Sequence, residues 1–170
     1  MTIQQYLTIL NQRYKLGNAT EHTFRGDLAS LIETIIPHIV ATNEPKRQSC
    51  GAPDYILTKK DIPVGFIEAK DLGDKDLDGL KKTGNKEQFD RYKASLTNII
   101  FTDYLDFHLY RNGEFVTKIS LGEIADHQIK PHQRFWIPHR ANDQKSKKAG
   151  RDDGRKSKAL VRCNRESAFQ

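Results

Sequence analysis

The sequence predicts an α/β domain in which helices flank a mixed central sheet of about five strands. Three observations lead to this fold class. Two N-terminal segments carry apolar residues at helical spacing, five short apolar runs have the length and composition of strands, and a polar helix separates the second run from the third. The 170 residues suffice for one domain with a substantial core.

The first helix is predicted at the start of the chain and ends near Gly17, since Ile3, Tyr6, Leu7 and Leu10 recur at helical spacing. A second helix follows, with Thr20 as its N-cap and Glu21 in its first turn. Pro37 stops that helix. One apolar stripe runs along it: Phe24, Leu28, Leu31, Ile32 and Ile35.

The next elements are two strands, DYILT and VGFIEAK, which we expect to pair as a hairpin. Pro63 in the connection KKDIP favours a turn of more than two residues. The preceding stretch ATNEPKRQSCGAP is predicted to be a loop. The following stretch DLGDKDLDGLKKTGN is predicted to be a solvated loop, because it is rich in Asp, Lys and Gly.

The last elements are a helix through KEQFDRYKAS, a buried strand NIIFTD, and a hairpin formed by DFHLYR and EFVTKIS. The dipeptide Asn112-Gly113 between the last two runs is a strong signal for a two-residue turn.

The basic charge of the chain is concentrated at its C-terminus. Residues 138–170 contain ten Lys or Arg and four Asp or Glu, whereas residues 1–137 contain eighteen of each. We therefore predict a domain over residues 1–137, followed by a basic, disordered or irregular tail over residues 138–170. The pI does not identify the domain itself as a nucleic-acid-binding surface.

Composition also indicates the cellular setting. No apolar stretch reaches the length of a membrane-spanning helix, and none follows the initiating methionine, so the expected location is the cytoplasm. Cys50 and Cys163 are far apart and match no metal-ligand spacing.

Three ionisable side chains, Asp54, Glu68 and Lys70, lie at the ends of the first two predicted strands. Strands alternate faces with period two, so Glu68 and Lys70 point the same way. In a hairpin, Asp54 lies across from the end of the partner strand and approaches Glu68. Two neighbouring carboxylates need a positive charge between them, and Mg²⁺ is the usual ion for oxygen ligands. With Lys70 beside it to orient water or neutralise a phosphate, such a site suits phosphodiester hydrolysis.

The same residues resemble a known nuclease signature. Pro53-Asp54 followed, after thirteen intervening residues, by Glu68-Ala69-Lys70 is similar to the motif of the PD-(D/E)xK nuclease superfamily. The resemblance implies a restriction-endonuclease-like core and cleavage of DNA. It also implies Mg²⁺, with Mn²⁺ as a substitute, held by Asp54, Glu68 and the carbonyl of Ala69.

Two further features add to the resemblance. Gln88 and Tyr92 lie four residues apart on one predicted helix face and resemble the QxxxY element of some branches, which orients the lysine or contacts DNA. Glu21 resembles the additional acidic ligand that many members place on the preceding helix. Glu33 is the alternative for that position.

The order of elements over roughly residues 1–125 is most similar to the N-terminal nuclease of type ISP restriction-modification enzymes, a Mrr-like subset. The similar segments are TEHTFRGDL, GAPDYIL, GFIEAKDL, KEQFDRYK and FTDYLDFHLYRNGEF. The resemblance implies a longer parent protein with motor, methyltransferase and target-recognition domains. The present chain contains no P-loop motif.

Simpler interpretations also exist. Asp54 is a common turn residue after proline, and Glu68 with Lys70 would make an ordinary same-face ion pair. The second functional hypothesis is a catalytically silent module that keeps the nuclease fold and binds DNA or assembles with partners through its basic tail.

Overall fold

The computed structural model describes residues 1–46, 50–80 and 85–132, and the side chain of Asn85 is excluded. The predicted tail, residues 138–170, lies outside the described residues. So do parts of the two predicted loops.

Three helices and eight strands are present in the described chain, together with one 3₁₀ turn. The helices and the turn are α1 (Ile3–Lys15), the 3₁₀ turn Glu21–Phe24, α2 (Arg25–Ile35) and α3 (Asn85–Ser95). The strands are β1 (Ile39–Asn43), β2 (Tyr55–Lys59), β3 (Ile62–Ala69), β4 (Asn98–Thr102), β5 (Asp106–Arg111), β6 (Glu114–Ser120), β7 (Gly122–Ala125) and β8 (Gln128–Pro131).

Strands β1 to β6 form one mixed sheet in their sequence order. Strands β3 and β4 pair in parallel, and the other neighbours pair antiparallel. The predicted sheet of about five strands is therefore confirmed in type and gains one strand. That strand is β1, part of which was predicted to be a loop. Only Ile39 of its five residues is buried, and the sequence IVATN does not alternate between apolar and polar residues.

The connection between β2 and β3 corrects a second prediction. Lys59 pairs with Ile62, which leaves a turn of two residues, Lys60 and Asp61, with φ of 50° and 62°. Positive φ at both central residues is what a type I′ hairpin turn requires. Pro63 is accommodated because the pairing shifts register between Leu57 and Thr58. The turn Asn112-Gly113 has the same pattern, as predicted.

The two faces of the sheet carry separate hydrophobic cores. Helices α1 and α2 and the β7–β8 ribbon cover one face, where buried residues include Tyr6, Leu10, Leu28, Tyr55 and Ile67. Helix α3 covers the other face, where Phe89, Tyr92, Ile99, Phe101 and Tyr110 are buried. The sheet is thus the middle layer of three, with helices packed on both of its faces.

The segment after β3 is packed more closely against the core than predicted. Asp76 and Leu77 are buried, although the stretch was predicted to be solvated. The Asp76 carboxylate accepts the Leu80 N–H, and Leu77 joins the core beneath α3. Within the described ranges, none of the helices combines the length and apolar character needed to cross a membrane.

Candidate active site

The open end of the β2–β3 hairpin holds Asp54 directly beside the end of β3. Tyr55 pairs with Ile67, so the next residues outward, Asp54 and Glu68, reach the same rim of the sheet. The Ala69 N–H donates to Asp54 Oδ2 at 2.8 Å. The register that the predicted site requires is therefore present in the structure.

Glu68 is the most buried acid of this group, with a side chain 5% exposed. Its Oε1 accepts a hydrogen bond from Lys70 Nζ at 2.9 Å. Its Oε2 is buried and has no hydrogen-bond partner among the described residues. Burial first, and the Asp54 carboxylate second, raise the pKa of Glu68 to about 7, against the opposing effect of Lys70. The site holds more negative charge than its own cations neutralise.

Lys70 is oriented from the α3 side. Its Nζ donates to Gln88 Oε1 at 2.9 Å and lies 5.4 Å from the ring centroid of Phe89. Gln88 Nε2 lies 3.4 Å from the hydroxyl oxygen of buried Tyr92. Because Gln88 and Tyr92 are one helical turn apart, they lie on the same face of α3, where Gln88 contacts the lysine and Tyr92 contacts Gln88. The predicted residues Glu68, Lys70, Gln88 and Tyr92 form one connected chain of contacts.

Arg25 is a residue of the site that the sequence analysis missed. Its Nη2 donates to Asp54 Oδ1 and to Glu21 Oε1, both at 2.6 Å, and its Nη1 donates to Glu44 Oε1 at 2.9 Å. The Arg25 side chain is only 7% exposed. A sequence signal existed for one of these contacts, since Glu21 and Arg25 lie four residues apart.

The two alternative acids have different surroundings. Glu21 joins the Arg25 cluster at the site, as the resemblance implied for an additional acid, although its partner is Arg25. Glu33 instead accepts the backbone N–H of Ala41 in β1 at 2.9 Å. Of the two, Glu21 is the acid that the structure brings to Asp54.

Buried tyrosines fix the backbone that carries Glu21 and Arg25. The Tyr55 hydroxyl donates to the Arg25 carbonyl at 2.8 Å, and the Tyr104 hydroxyl donates to the Glu21 carbonyl at 2.6 Å. Tyr6 in turn donates to the Tyr104 carbonyl at 2.9 Å. All three rings are fully buried, so the core itself determines where the 3₁₀ turn and α2 meet the sheet.

Asp54 is held from two sides. Burial raises the pKa of its carboxyl group, while the Ala69 N–H and the Arg25 guanidinium lower it in part. Within the described ranges, no group of three or more His, Cys, Asp or Glu side chains is spaced to hold a metal ion. A hard divalent cation here would be held by the carboxylates of Asp54 and Glu68, with the Ala69 carbonyl as the further ligand that the resemblance implies. The unpartnered Glu68 Oε2 fits such an ion.

Comparisons with known proteins bear on the fold. No family model matches the sequence, and no curated protein matches it. Seven chains of known structure do match. One belongs to the cryo-EM structure of the DrdV–DNA complex, with a TM-score of 0.54 and 22% identity, covering 70% of this chain and 82% of that chain. This likeness, with the six-stranded mixed sheet, confirms the predicted fold class of a restriction-endonuclease-like α/β domain. At 22% identity, this likeness supports the fold and not a function.

Proposed function

We propose that this chain is a metal-dependent DNA endonuclease domain, the Mrr-like cleavage domain of a type ISP restriction system. The contacts among Asp54, Glu68, Lys70 and Gln88 support phosphodiester hydrolysis as the reaction. The fold likeness to a chain solved in a DNA complex supports DNA as the substrate.

The observation that carries the proposal is the buried, unpartnered Oε2 of Glu68. Buried polar atoms almost always have a partner, and an unpartnered carboxylate oxygen is costly. Burial is the main cause of the raised pKa of Glu68, and the neighbouring Asp54 carboxylate, which adds negative charge, is the second. A divalent cation would neutralise this negative charge.

Mg²⁺, with Mn²⁺ as a substitute, would be held by Asp54, Glu68 and the Ala69 carbonyl. Bound there, the ion would supply Lewis-acid stabilisation of phosphate charge and a more acidic attacking water. Lys70 places its ammonium group at the same rim, where it neutralises charge that grows on the phosphate. Its side chain is 12% exposed, so solvent screens that charge weakly. Gln88 and Glu68 fix its direction.

The type ISP arrangement includes motor, methyltransferase and target-recognition domains in a longer parent protein, acting in the cytoplasm. In such an enzyme the other domains deliver the nuclease to its substrate. The balance of eighteen basic and eighteen acidic residues over residues 1–137 agrees with a domain that does not hold DNA tightly by charge alone.

Nicking of supercoiled plasmid tests the proposal. The whole chain should nick the plasmid with Mg²⁺ or Mn²⁺ and stop when a chelator is added. Asp54→Ala and Lys70→Ala should each slow nicking roughly 100-fold or more, because each removes a group that stabilises the transition state. Asp61→Ala is the matched control, since Asp61 is an exposed acid at the other end of the same hairpin. Nicking by Asp54→Ala at the wild-type rate would refute the assignment.

A second candidate function is favoured by a specific observation. Arg25 already pairs with Asp54, and the described chain contains no cluster of three metal-binding side chains. A catalytically silent module would bind DNA in a salt-sensitive manner through residues 138–170, without metal-dependent cleavage. It therefore predicts that deletion of this tail abolishes DNA binding. Metal-dependent nicking by the tail-less protein, lost in Lys70→Ala, would exclude it.

A further inference from the structure

We infer that Arg25 is a positioning residue that fills, among Glu21, Glu44 and Asp54, the place that a second metal ion would take. Glu21 then acts through Arg25 and not as a metal ligand. The inference deepens the proposed function, on which it rests, by limiting the divalent ion to the Glu68 side of Asp54.

The Arg25 guanidinium lies between Glu21 and Asp54. Arg25 Nη2 lies 2.6 Å from both Glu21 Oε1 and Asp54 Oδ1. A divalent ion bridging these two oxygens would need to lie about 2.0–2.6 Å from each, which is the same space. Because the guanidinium is always protonated, it cannot vacate that space by losing charge.

The formal charge of the rim favours one divalent ion over two. The rim contains four carboxylates, of Glu21, Glu44, Asp54 and Glu68, and two cationic side chains, of Arg25 and Lys70. With every group ionised, the formal charge of this set is −2. One divalent ion balances it, and a second would leave this set, in which only Glu44 is mostly exposed, with a formal charge of +2.

The hydrophobic core fixes the backbone of Arg25 and Glu21. Hydroxyl groups of buried Tyr55 and Tyr104 hold the main-chain carbonyls of Arg25 and Glu21. The two residues are therefore placed by the core, and the guanidinium fork meets the acids without prior rearrangement. Asp54 Oδ1 is fixed by Arg25 and Oδ2 by the Ala69 N–H, which sets the plane of the carboxylate.

The test counts Mn²⁺ ions bound by the whole chain without DNA, using electron paramagnetic resonance and calorimetry. The wild type should bind one ion. Arg25→Met should bind one more, because three carboxylates lose their shared cation, and adding Glu21→Gln should remove the extra ion. Glu21→Gln alone should keep the wild-type stoichiometry, with affinity reduced by no more than about tenfold through lost positioning. Arg25→Lys, which keeps the charge, should bind no extra ion.

The outcomes separate this inference from the proposed function. A folded Arg25→Met that gains no ion, or a Glu21→Gln that loses the wild-type ion, overturns the role of Arg25. A wild type that binds no ion while Arg25→Met binds one supports that role and contradicts the proposed metal site. If Arg25→Met does not fold, Glu21→Gln still decides, since retention of the ion supports the inference and loss overturns it.

Discussion

The two ends of the β2–β3 hairpin carry the same types of charged residue in opposite environments. At the turn, Lys59, Lys60 and Asp61 are exposed, and the neighbouring Ile62 is 65% exposed. At the open end, the side chains of Asp54, Glu68 and Lys70 are 13%, 5% and 12% exposed. Both ends place acids and lysines next to apolar residues, so composition alone does not distinguish them.

The difference lies in what covers each end. Charges at the turn are solvated, and exposed charges of this kind contribute little to stability. The open end is approached by α2 from one face of the sheet and by α3 from the other, so each buried charge there needs a partner. Arg25 and Gln88 supply partners for Asp54 and Lys70, whereas one Glu68 oxygen has none. Function is indicated by charge that is buried and incompletely paired.

The largest expected effect concerns pH at the open end. Metal-dependent nicking should rise roughly tenfold per pH unit up to about 7 and then level off, because Glu68 must lose its proton to hold a cation. Rates of plasmid nicking between pH 5 and pH 9 at subsaturating Mg²⁺ measure this; these limits span a range of about two units on either side of the Glu68 pKa. Glu68→Gln should show no metal-dependent rate at any pH, and Asp61→Ala should follow the wild-type profile.

The Glu68 carboxyl group should also make the stability of the metal-free protein depend on pH. The folded pKa of Glu68, about 7, exceeds its usual value of 4.5, so the folded state binds the proton more tightly than the unfolded state. Its contribution is greatest below pH 4.5 and is lost as pH rises to about 7, a change on the order of 3 kcal/mol. Urea unfolding should show this decline in the wild type and not in Glu68→Gln. Parallel curves would contradict a raised pKa.

A smaller effect is expected at α3. Gln88→Ala should slow nicking about 10-fold and leave Mn²⁺ affinity unchanged, because it removes the acceptor that orients Lys70 and no metal ligand. Gln88→Glu retains an acceptor at that position and is the matched comparison. Tyr92→Phe should change the rate by no more than about twofold, since 3.4 Å is long for a hydrogen bond. An unaffected Gln88→Ala would remove Gln88 from the site.

The smallest effect is expected at the turn. Asp61 has φ of 62°, a conformation that glycine adopts without strain. Asp61→Gly should therefore raise the free energy of unfolding by about 0.5–1 kcal/mol, measured by urea denaturation, with the nicking rate unchanged. A reduced rate would show that the two ends of the hairpin are coupled.

Local pattern was enough to predict most of the sheet and part of the site. Apolar periodicity predicted α1 and α2, and short apolar runs predicted the five strands β2 to β6. The period of two along β3 placed Glu68 and Lys70 on one face. Contacts between elements that are distant in the sequence could not be predicted from local pattern. β1 has one buried residue in five, and Pro63 tolerates the tight turn only because of an irregular pairing nearby.

Arg25 was not predicted at the site for the same reason. Glu44, which pairs with Arg25, comes directly after β1. Because β1 was not predicted, the sequence could not place Glu44 beside α2. The Arg25–Asp54 contact likewise joins residues 29 positions apart. Period and spacing describe single elements, whereas ion pairs between elements depend on how those elements pack.

The parallel pairing of β3 with β4 bears on the order in which the site at the open end of the hairpin assembles. The β2–β3 and β5–β6 hairpins close through two-residue turns and can form within roughly 1–10 μs. The β3–β4 pairing instead requires closure of the whole connection from Lys70 to Thr97, which contains α3. Lys70 begins that connection and Gln88 lies inside it. We expect the lysine to meet its glutamine once α3 packs on the sheet, so a chain folded only into its hairpins would hold Asp54 beside Glu68 without the oriented lysine.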